Sequence, residues 1–245
     1  MPQQDQRKRY LCLSVDVMGY GRHTDPGQLE IQRLLIELLD VAGARAGVDR
    51  SRWHRQAKGD EELALVPVDS AAPLVIGDFC LELAAALHRH NLRPGPLGRL
   101  RLRLAADEGE VEQGANGFVG RAVVGATRLG SSREARQALE ESQGTDLVVV
   151  LSDSVYRDWV DSGRGGLARE HFRRVRVREK ETETDAWLWL PGASASAPGT
   201  PTGTGDTGGT PPVPPAAGGR TINMSGRFST YIESGDNIHI GDEHH

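Results

Sequence analysis

The sequence predicts an α+β fold, a ferredoxin-like palm of βαββαβ order with an αβ extension and helices on one face of the sheet. Strand-like alternation and helical periodicity take turns along residues 1–190. Residues 147–151 form a continuous apolar run, which is typical of a buried central strand. Hydrophobic residues make up 38% of the 245 residues, enough for one core at roughly 150 residues per domain.

The first half of the fold is predicted from local patterns. Leucine and valine at every second position predict strands, and apolar residues three or four apart predict helices. Glycine at position 59 between two strand-like segments predicts the turn of a hairpin. In chain order, the patterns predict a strand at 9–17, a helix at 28–47, hairpin strands at 53–57 and 62–67, and a helix at 76–87.

The second half begins with a segment in which leucines and arginines alternate. This alternation predicts a half-buried strand whose arginines, Arg99, Arg101 and Arg103, lie on a solvated outer face. After it we expect, in order, a helix at 119–142 interrupted at Gly130, the buried strand at 147–151, a short helix capped at Ser152 and Asp153, and two closing strands.

Charge and composition exclude several functional classes. The net charge of −5 gives no global indication of nucleic-acid binding. The apolar runs are far shorter than the roughly 18 residues that a membrane helix needs, and the polar N-terminus lacks the apolar core of a signal peptide. We therefore expect a cytoplasmic protein that contacts neither nucleic acid nor membrane. Cys12 and Cys80 lie in apolar stretches and are expected to be buried thiols.

The composition changes sharply after Leu190 and predicts three regions. Residues 1–190 carry the pattern of the folded domain. Residues 191–219 consist almost wholly of Pro, Gly, Ala, Ser and Thr, which predicts a disordered linker because such a stretch buries too little surface to fold. Residues 220–245 form a short C-terminal tail that is expected to serve interaction.

Two acidic residues stand where predicted strands end. Asp16 closes the first strand, and Asp60 lies in the hairpin turn. If the first strand lies beside the hairpin, both carboxylates converge at one end of the sheet, where they can hold two divalent ions across a triphosphate. The turn that follows Asp16 bears glycines, which let backbone N–H groups approach phosphate oxygens. It consists of Met18, Gly19, Tyr20 and Gly21.

These residues carry a resemblance to the class III nucleotidyl cyclases, the adenylate and guanylate cyclases, over residues 10–190. The first strand of that family ends in a metal-binding Asp followed by Gly and an aromatic residue, as at Asp16, Gly19 and Tyr20. Its hairpin turn reads Gly-Asp, as at 59–60. Its third long helix carries an Ala-Ala-Arg-Leu-like segment, which is similar to 125–129 here.

The resemblance implies a metal-dependent reaction in a homodimer. The ribose 3′-hydroxyl of a nucleoside triphosphate would attack the α-phosphate, forming a 3′,5′-cyclic nucleotide and pyrophosphate between two subunits. Arg128 would be the catalytic residue that stabilises charge on phosphorus. The remaining roles implied by the resemblance are metal binding (two Mg²⁺ or Mn²⁺) by Asp16, Asp60 and the Val17 carbonyl, and phosphate binding by Met18, Gly19, Tyr20, Gly21 and Gly59.

Three positions depart from the pattern of the family. Gln56 stands at the base-reading position, where the family usually has Lys. Gly117 stands where a partner Asp is usual, and Val124 stands where an Asn precedes the arginine by one helical turn. These departures favour the alternative that the domain is a catalytically inactive cyclase-like binding or scaffold module.

Other interpretations of the same residues stay open. Lys58-Gly59-Asp60-Glu61-Glu62 is also similar to the turn of the diguanylate cyclases, although the segment that this family has after its first strand is missing here. Gly59 and Asp60 also make an ordinary turn pair. Arg128 lies among charged residues on its predicted helix, so a solvated surface role is the alternative to catalysis.

The tail alternates apolar and polar residues in short bursts punctuated by Gly and Asn. Stacked in register across chains, such segments satisfy every backbone hydrogen bond. Ile238-His239-Ile240-Gly241 resembles the amyloid signalling motifs related to the RIP homotypic interaction motif, with His in place of Gln. The resemblance implies a partner protein that bears a matching segment. A tail without an ordered partner is the alternative.

Overall fold

The computed structural model describes residues 7–68, 72–179 and 182–192. Almost all of the predicted linker and the whole of the predicted tail lie outside the described residues.

One mixed sheet forms the centre of the domain. Its strands follow the order β2-β3-β1-β4-β6-β8-β7, and β5 pairs with β4 beside this path. Among the strands of the described residues, β4 and β6 pair in parallel and the other neighbours are antiparallel. The strands are β1 (Lys8–Val17), β2 (His54–Lys58), β3 (Glu61–Pro67), β4 (Leu102–Gly114), β5 (Gly117–Val119), β6 (Leu147–Ser152), β7 (Phe172–Glu179) and β8 (Thr182–Trp189).

Six helices connect the strands within the described ranges. Two of them are continued by π-helical turns, Val75–Phe79 between α2 and α3 and Tyr156–Asp161 after α6. Short 3₁₀ turns stand at Tyr20–Arg22, Arg50–Arg52 and Arg169–His171. The helices are α1 (Asp25–Arg45), α2 (Ala72–Leu74), α3 (Cys80–Asn91), α4 (Arg121–Ser131), α5 (Arg133–Glu141) and α6 (Asp153–Val155).

Helices cover both faces of the sheet, so the expectation of helices on one face is wrong. Along β6, Leu147, Val149 and Leu151 pack in one cluster with α1 and α3. Val148 and Val150 point the other way and pack in a second cluster with α4 and α5. A strand with both faces buried is apolar at every position. The run at 147–151 is therefore explained by two covering layers.

The long helix expected at 119–142 is two helices. The break falls at Ser132 rather than at Gly130, because the buried Ser132 hydroxyl accepts a hydrogen bond from the Ala135 amide and caps α5. The first residue of the expected helix instead belongs to β5, which folds back on β4 through Gly117 at a positive φ of 106°. This short strand was missed because three residues carry no periodicity.

The two thiols are buried, as expected. Cys12 and Cys80 are both inaccessible to solvent, and burial raises the pKa of each thiol to about 12. Neither thiol is therefore a nucleophile at neutral pH. In the part of the chain that the structure describes, no helix has the length and apolar character needed to cross a bilayer.

Candidate functional site

The end of β1 and the turn of the hairpin meet at one end of the sheet. In the antiparallel register of β1 and β3, Asp16 lies opposite Glu61. The Val17 amide donates to the Asp60 carbonyl at 3.1 Å, and Gly59 supplies the positive φ of 64° that the turn requires. Asp16 and Asp60 are thus brought together, at the place where the sequence pattern expects them.

Asp16 is also paired with an arginine from the next strand. Its direct neighbour on β4 is Arg103, whose Nε donates to Asp16 Oδ1 at 2.9 Å and whose Nη2 donates to Asp16 Oδ2. The Arg103 side chain is 10% exposed. The expectation that Arg103 lies on a solvated outer face is therefore wrong, because α4 and α5 cover that side of the sheet.

The electrostatics of Asp16 reflect partial burial. Desolvation raises the pKa of this carboxyl above its ordinary value, and the hydrogen bond and charge of Arg103 oppose the shift. The nearby Asp60 and Glu61 raise the pKa further, because three carboxylates at one end of the sheet repel one another. Glu61 is tied to β1 by the Ser14 hydroxyl, which donates to Glu61 Oε1 at 3.1 Å.

A cavity of about 490 Å³ opens beside this end of the sheet. We call it the arginine cavity, since five arginines contribute to its wall. It is lined by Met18, Gly19, Arg22, His23, Arg99, Arg101, Arg103, Arg136 and Glu140. Two of its guanidinium nitrogens, Arg101 Nε and Arg103 Nη1, are buried without a hydrogen-bond partner among the described residues. An unpaired buried donor is costly, so these two nitrogens mark a place where an acceptor is missing.

The other arginines of the cavity differ in how they are held. Arg99 donates to Asp146, which anchors it. Arg101 donates to the Ser142 carbonyl at 2.5 Å, and burial together with the charge of Arg99 lowers the pKa of Arg101. Within the described part of the chain, Arg22 and Arg136 form no ion pair, and Glu140 is the acidic residue among the nine that line the cavity.

The turn after β1 forms one side of the arginine cavity. Gly19 has a φ of 83° and precedes the 3₁₀ turn Tyr20–Arg22. The turn is tied at both sides, because the Met18 amide donates to the Arg101 carbonyl at 2.9 Å and Gln32 Nε2 donates to the Tyr20 hydroxyl at 2.6 Å. The space beside Gly21 is open. The turn is thus a fixed backbone surface.

Arg128 lies elsewhere in the same chain. It is exposed on α4 and lines a different cavity, of about 1050 Å³, with Asp107 and several glutamates of β4. Gly125, one turn before Arg128, lies directly against the Asp107 carboxylate, where a side chain would collide with it. Val124 is 46% exposed at the surface of α4. Asp16 and Asp60 are not among the residues that line this cavity.

Gln56 and Gly117 lie next to each other. Gln56 is exposed on β2, and its side-chain amide covers the backbone of Gly117 so closely that a Cβ there would lie 2.6 Å from Gln56 Oε1. An Asp at position 117 would have to displace Gln56. Gln56 and Gly117, two positions that depart from the cyclase pattern, are thus in contact, and the absence of a side chain at Gly117 allows that contact.

The residues present do not fit a two-metal centre in this arrangement. Asp16, Asp60 and the Val17 carbonyl are hard oxygen donors of the kind that Mg²⁺ and Mn²⁺ prefer. Each oxygen of Asp16, however, already accepts a charged hydrogen bond from Arg103. Over residues 7–68, 72–179 and 182–192, no group of three or more His, Cys, Asp or Glu residues is arranged to hold a metal ion.

Comparisons with known proteins identify the fold. No protein-family model matches the chain, and no curated protein matches it. Solved structures do match. An adenylate/guanylate cyclase/hydrolase from Silicibacter pomeroyi superposes with a TM-score of 0.54 at 22% identity, covering 76% of this chain and 98% of that chain.

Two further structures agree with this result. The guanylyl cyclase Cya2 has a TM-score of 0.53 at 16% identity, covering 76% of this chain and 92% of that chain. The catalytic core of a rhodopsin-guanylyl cyclase with converted specificity, in complex with ATPαS, gives 0.52 at 15%, covering 76% and 96%. The described residues therefore share the fold of these cyclase domains, as the resemblance implies.

Proposed function

We propose that this protein is a divergent cyclase-like signalling protein whose folded domain binds a nucleoside triphosphate. The phosphates lie in the arginine cavity against the turn of Met18, Gly19, Tyr20 and Gly21. The observation that carries this proposal is a pair of buried donors without hydrogen-bond partners in the described structure, Arg101 Nε and Arg103 Nη1, on side chains that line the cavity beside that turn. Phosphate oxygens are the acceptors that guanidinium groups hold best.

Binding without turnover is the function that the geometry supports best. The guanidinium of Arg103 donates to the carboxylate of Asp16. Val124, at the position where the family has an Asn, has no polar group in its side chain, and Gly117 has no carboxylate that could contact a base. We propose that Gln56, which covers Gly117, is the group that meets the base. Its amide has both a donor and an acceptor, so it can pair with the polar edge of a base.

Cyclisation is the second candidate, and the convergence of Asp16 and Asp60 favours it. In that case Asp16, Asp60 and the Val17 carbonyl would be the groups to hold two Mg²⁺ or Mn²⁺ ions, which would require Arg103 to leave Asp16, and Gly59 would shape the turn beside them. Arg128 then acts as the catalytic residue. The metals, when bound, supply charge neutralisation on the phosphates.

A homodimer is proposed with the second candidate. Arg128 lines a different cavity from the arginine cavity, and a second copy would supply Arg128 to the site of the first. The cyclase-like domain at 1–190 is thus proposed to pair with another copy of itself. The tail at 220–245, on the linker at 191–219, is proposed to recruit a partner protein.

The experiment that tests nucleotide binding uses the full chain. We would titrate ATP, GTP, CTP and UTP by calorimetry, and examine the same mixtures with Mn²⁺ for cyclic products by mass spectrometry. Binding of one nucleotide without product supports the binding module. A cyclic product that is lost in Asp60→Ala, but kept in the exposed control Asp78→Ala, establishes the enzyme instead. Failure of all four nucleotides to bind overturns both candidates.

A further inference from the structure

We propose that the arginine cavity binds a linear polyphosphate chain without a divalent metal ion, because the Arg103 guanidinium lies beside Asp16 in the place that such an ion would take. This inference rests on the proposed nucleotide-binding function and specifies the form of the ligand. The chemistry recognised is a chain of linked phosphates, which either a nucleoside triphosphate or a free inorganic polyphosphate supplies.

The Asp16–Arg103 pair has a fixed position in the sheet. The two residues face each other in the antiparallel ladder of β1 and β4, so the backbone register sets their distance. The fork is bidentate, and it satisfies both carboxylate oxygens of Asp16. A planar cation held in this way neutralises Asp16 as a metal ion would.

One hydrogen-bond donor of Arg103 remains available to a ligand. Asp16 uses Nε and Nη2, and Nη1 is buried without a partner among the described residues, in a side chain that is 10% exposed. Arg101 Nε also lacks a hydrogen-bond partner among the described residues, although it lies 4.0 Å from Asp146 Oδ1 in an ion pair. Both side chains line the arginine cavity. A bound oxyanion supplies the missing acceptors, and Arg103 then bridges the anion and Asp16.

The arginines around the cavity provide positive charge for a phosphate chain. Arg22 and Arg136 have no carboxylate partner in the described ranges, and both line the cavity with Arg101 and Arg103. They come from the turn after β1 and from α5, so they approach from separate elements. Successive phosphates of a chain can therefore each meet a guanidinium. Charge that a divalent ion supplies elsewhere comes here from arginine side chains.

The test compares metal-free and metal-containing binding on the full chain. Inorganic tripolyphosphate and the four nucleoside triphosphates are titrated by calorimetry in EDTA and in Mn²⁺. We expect affinity in EDTA at least equal to that in Mn²⁺, since the ion competes for the phosphates. Arg101→Ala and Arg136→Ala are expected to weaken binding about tenfold, whereas the exposed control Arg178→Ala on β7 leaves it unchanged.

The outcomes separate this inference from the proposed function. Binding that needs Mn²⁺ overturns the inference and leaves the nucleotide function intact. Tripolyphosphate binding without nucleotide binding supports the inference that the cavity binds a phosphate chain. It identifies free polyphosphate as the ligand and overturns the nucleotide function. Nucleotide binding without tripolyphosphate binding overturns the inference, because the phosphate chain is then not what the cavity recognises. Failure of every ligand in both buffers overturns both proposals.

A second readout addresses Arg103 directly. Thermal unfolding of the wild-type chain is expected to show no shift on addition of Mn²⁺ in the absence of nucleotide. In Arg103→Gln the Asp16 carboxylate is released, so Mn²⁺ is expected to raise the Tm. A Tm increase of the wild-type chain with Mn²⁺ alone would overturn the assignment of Arg103. Arg101→Ala, which leaves the hydrogen bonds between Arg103 and Asp16 intact, serves as the matched variant, and its Tm is expected not to change with Mn²⁺.

Discussion

Arg103 and Asp16 face each other across β4 and β1, and the Nε of Arg103 donates to Asp16 Oδ1 at 2.9 Å while Nη2 donates to Oδ2. The pair joins the two central antiparallel strands at the end where the candidate site lies. It determines the state of the carboxylate on which any metal chemistry would depend, and it also stabilises a half-buried charge.

Removal of Arg103 is expected to destabilise the domain. Arg103→Ala leaves the Asp16 carboxylate half-buried and unpaired, and the cost of breaking such a pair is about 2 to 3 kcal/mol, allowing for the residual exposure of Asp16. Urea unfolding measures the change. The double variant Asp16→Asn, Arg103→Gln should recover part of the loss. Equal stability of Arg103→Ala and wild type would show that solvent already compensates Asp16.

Stability is expected to decrease with rising pH through Asp107. Burial raises the pKa of this carboxyl above its ordinary value of 3.8, although the hydroxyls of Ser152 and Ser154 oppose the shift. The folded chain therefore holds this proton more tightly than the unfolded chain does. Stability contributed by the group is complete below 3.8 and is lost as the pH rises through the raised folded value.

Asp107→Asn removes this titration and provides the measurement. The free energy of unfolding, followed by urea between pH 4 and neutrality, should vary less with pH in the variant than in wild type. Asn keeps the shape of the side chain against Gly125, so packing is matched. Identical pH dependence in the two proteins would mean that Asp107 titrates as a solvated carboxyl.

Gly125 is expected to tolerate no side chain. A Cβ at this position would collide with the Asp107 carboxylate, so Gly125→Ala should cost about 2 kcal/mol, because the carboxylate that accepts from the Glu108 amide has to move. Thermal unfolding measures the loss. Gly21→Ala is the matched control, because among the described residues no atom lies within 4 Å of the place that its new methyl group would take, and it should leave the Tm unchanged.

Ser132 is expected to stabilise the junction of α4 and α5. Its hydroxyl accepts from the Ala135 amide at 3.2 Å and donates to the Leu129 carbonyl at 2.7 Å. Ser132→Ala should therefore lower the free energy of unfolding by about 1 kcal/mol. The exposed neighbour Ser131→Ala is the control and should change it by less. Equal effects at both positions would rule out a specific cap.

The tail is expected to stack. A peptide of residues 220–243 should form fibres that bind thioflavin, since in-register stacking satisfies its backbone groups. Light scattering and dye fluorescence over days provide the measurement. A peptide that stays monomeric at high concentration would contradict the proposed homotypic interaction and leave the tail without this role.

Sequence patterns predicted the meeting of Asp16 and Asp60, because strand ends and a hairpin turn are encoded locally. The role of Arg103 could not be predicted in the same way. Alternation of arginine with leucine is the usual pattern of a solvated face, and only the register of β4 against β1 places Arg103 opposite Asp16. The arginines of the cavity come from separate elements, which no single segment of sequence reveals.

The helices α4 and α5 were predicted as one helix, but their position on the second face of the sheet was missed for a related reason. α4 and α5 pack on the sheet largely through alanines, among them Ala126, Ala135 and Ala138. Such small residues give a weak periodic signal. The apolar run of β6 indicated burial, but the covering elements were not identifiable from it.

The two ends of the sheet path have a consequence for how copies of the protein associate. Within the described residues, β2 and β7 have a partner strand on one side only, and an unpaired strand edge invites growth by addition of further strands. β7 carries four exposed arginines, Arg173, Arg174, Arg176 and Arg178. Arg174, Arg176 and Arg178 are ion-paired with Asp185 or Glu183 of β8, and charged side chains along an edge strand oppose the addition of another strand. The β7 edge is therefore protected against pairing between folded domains.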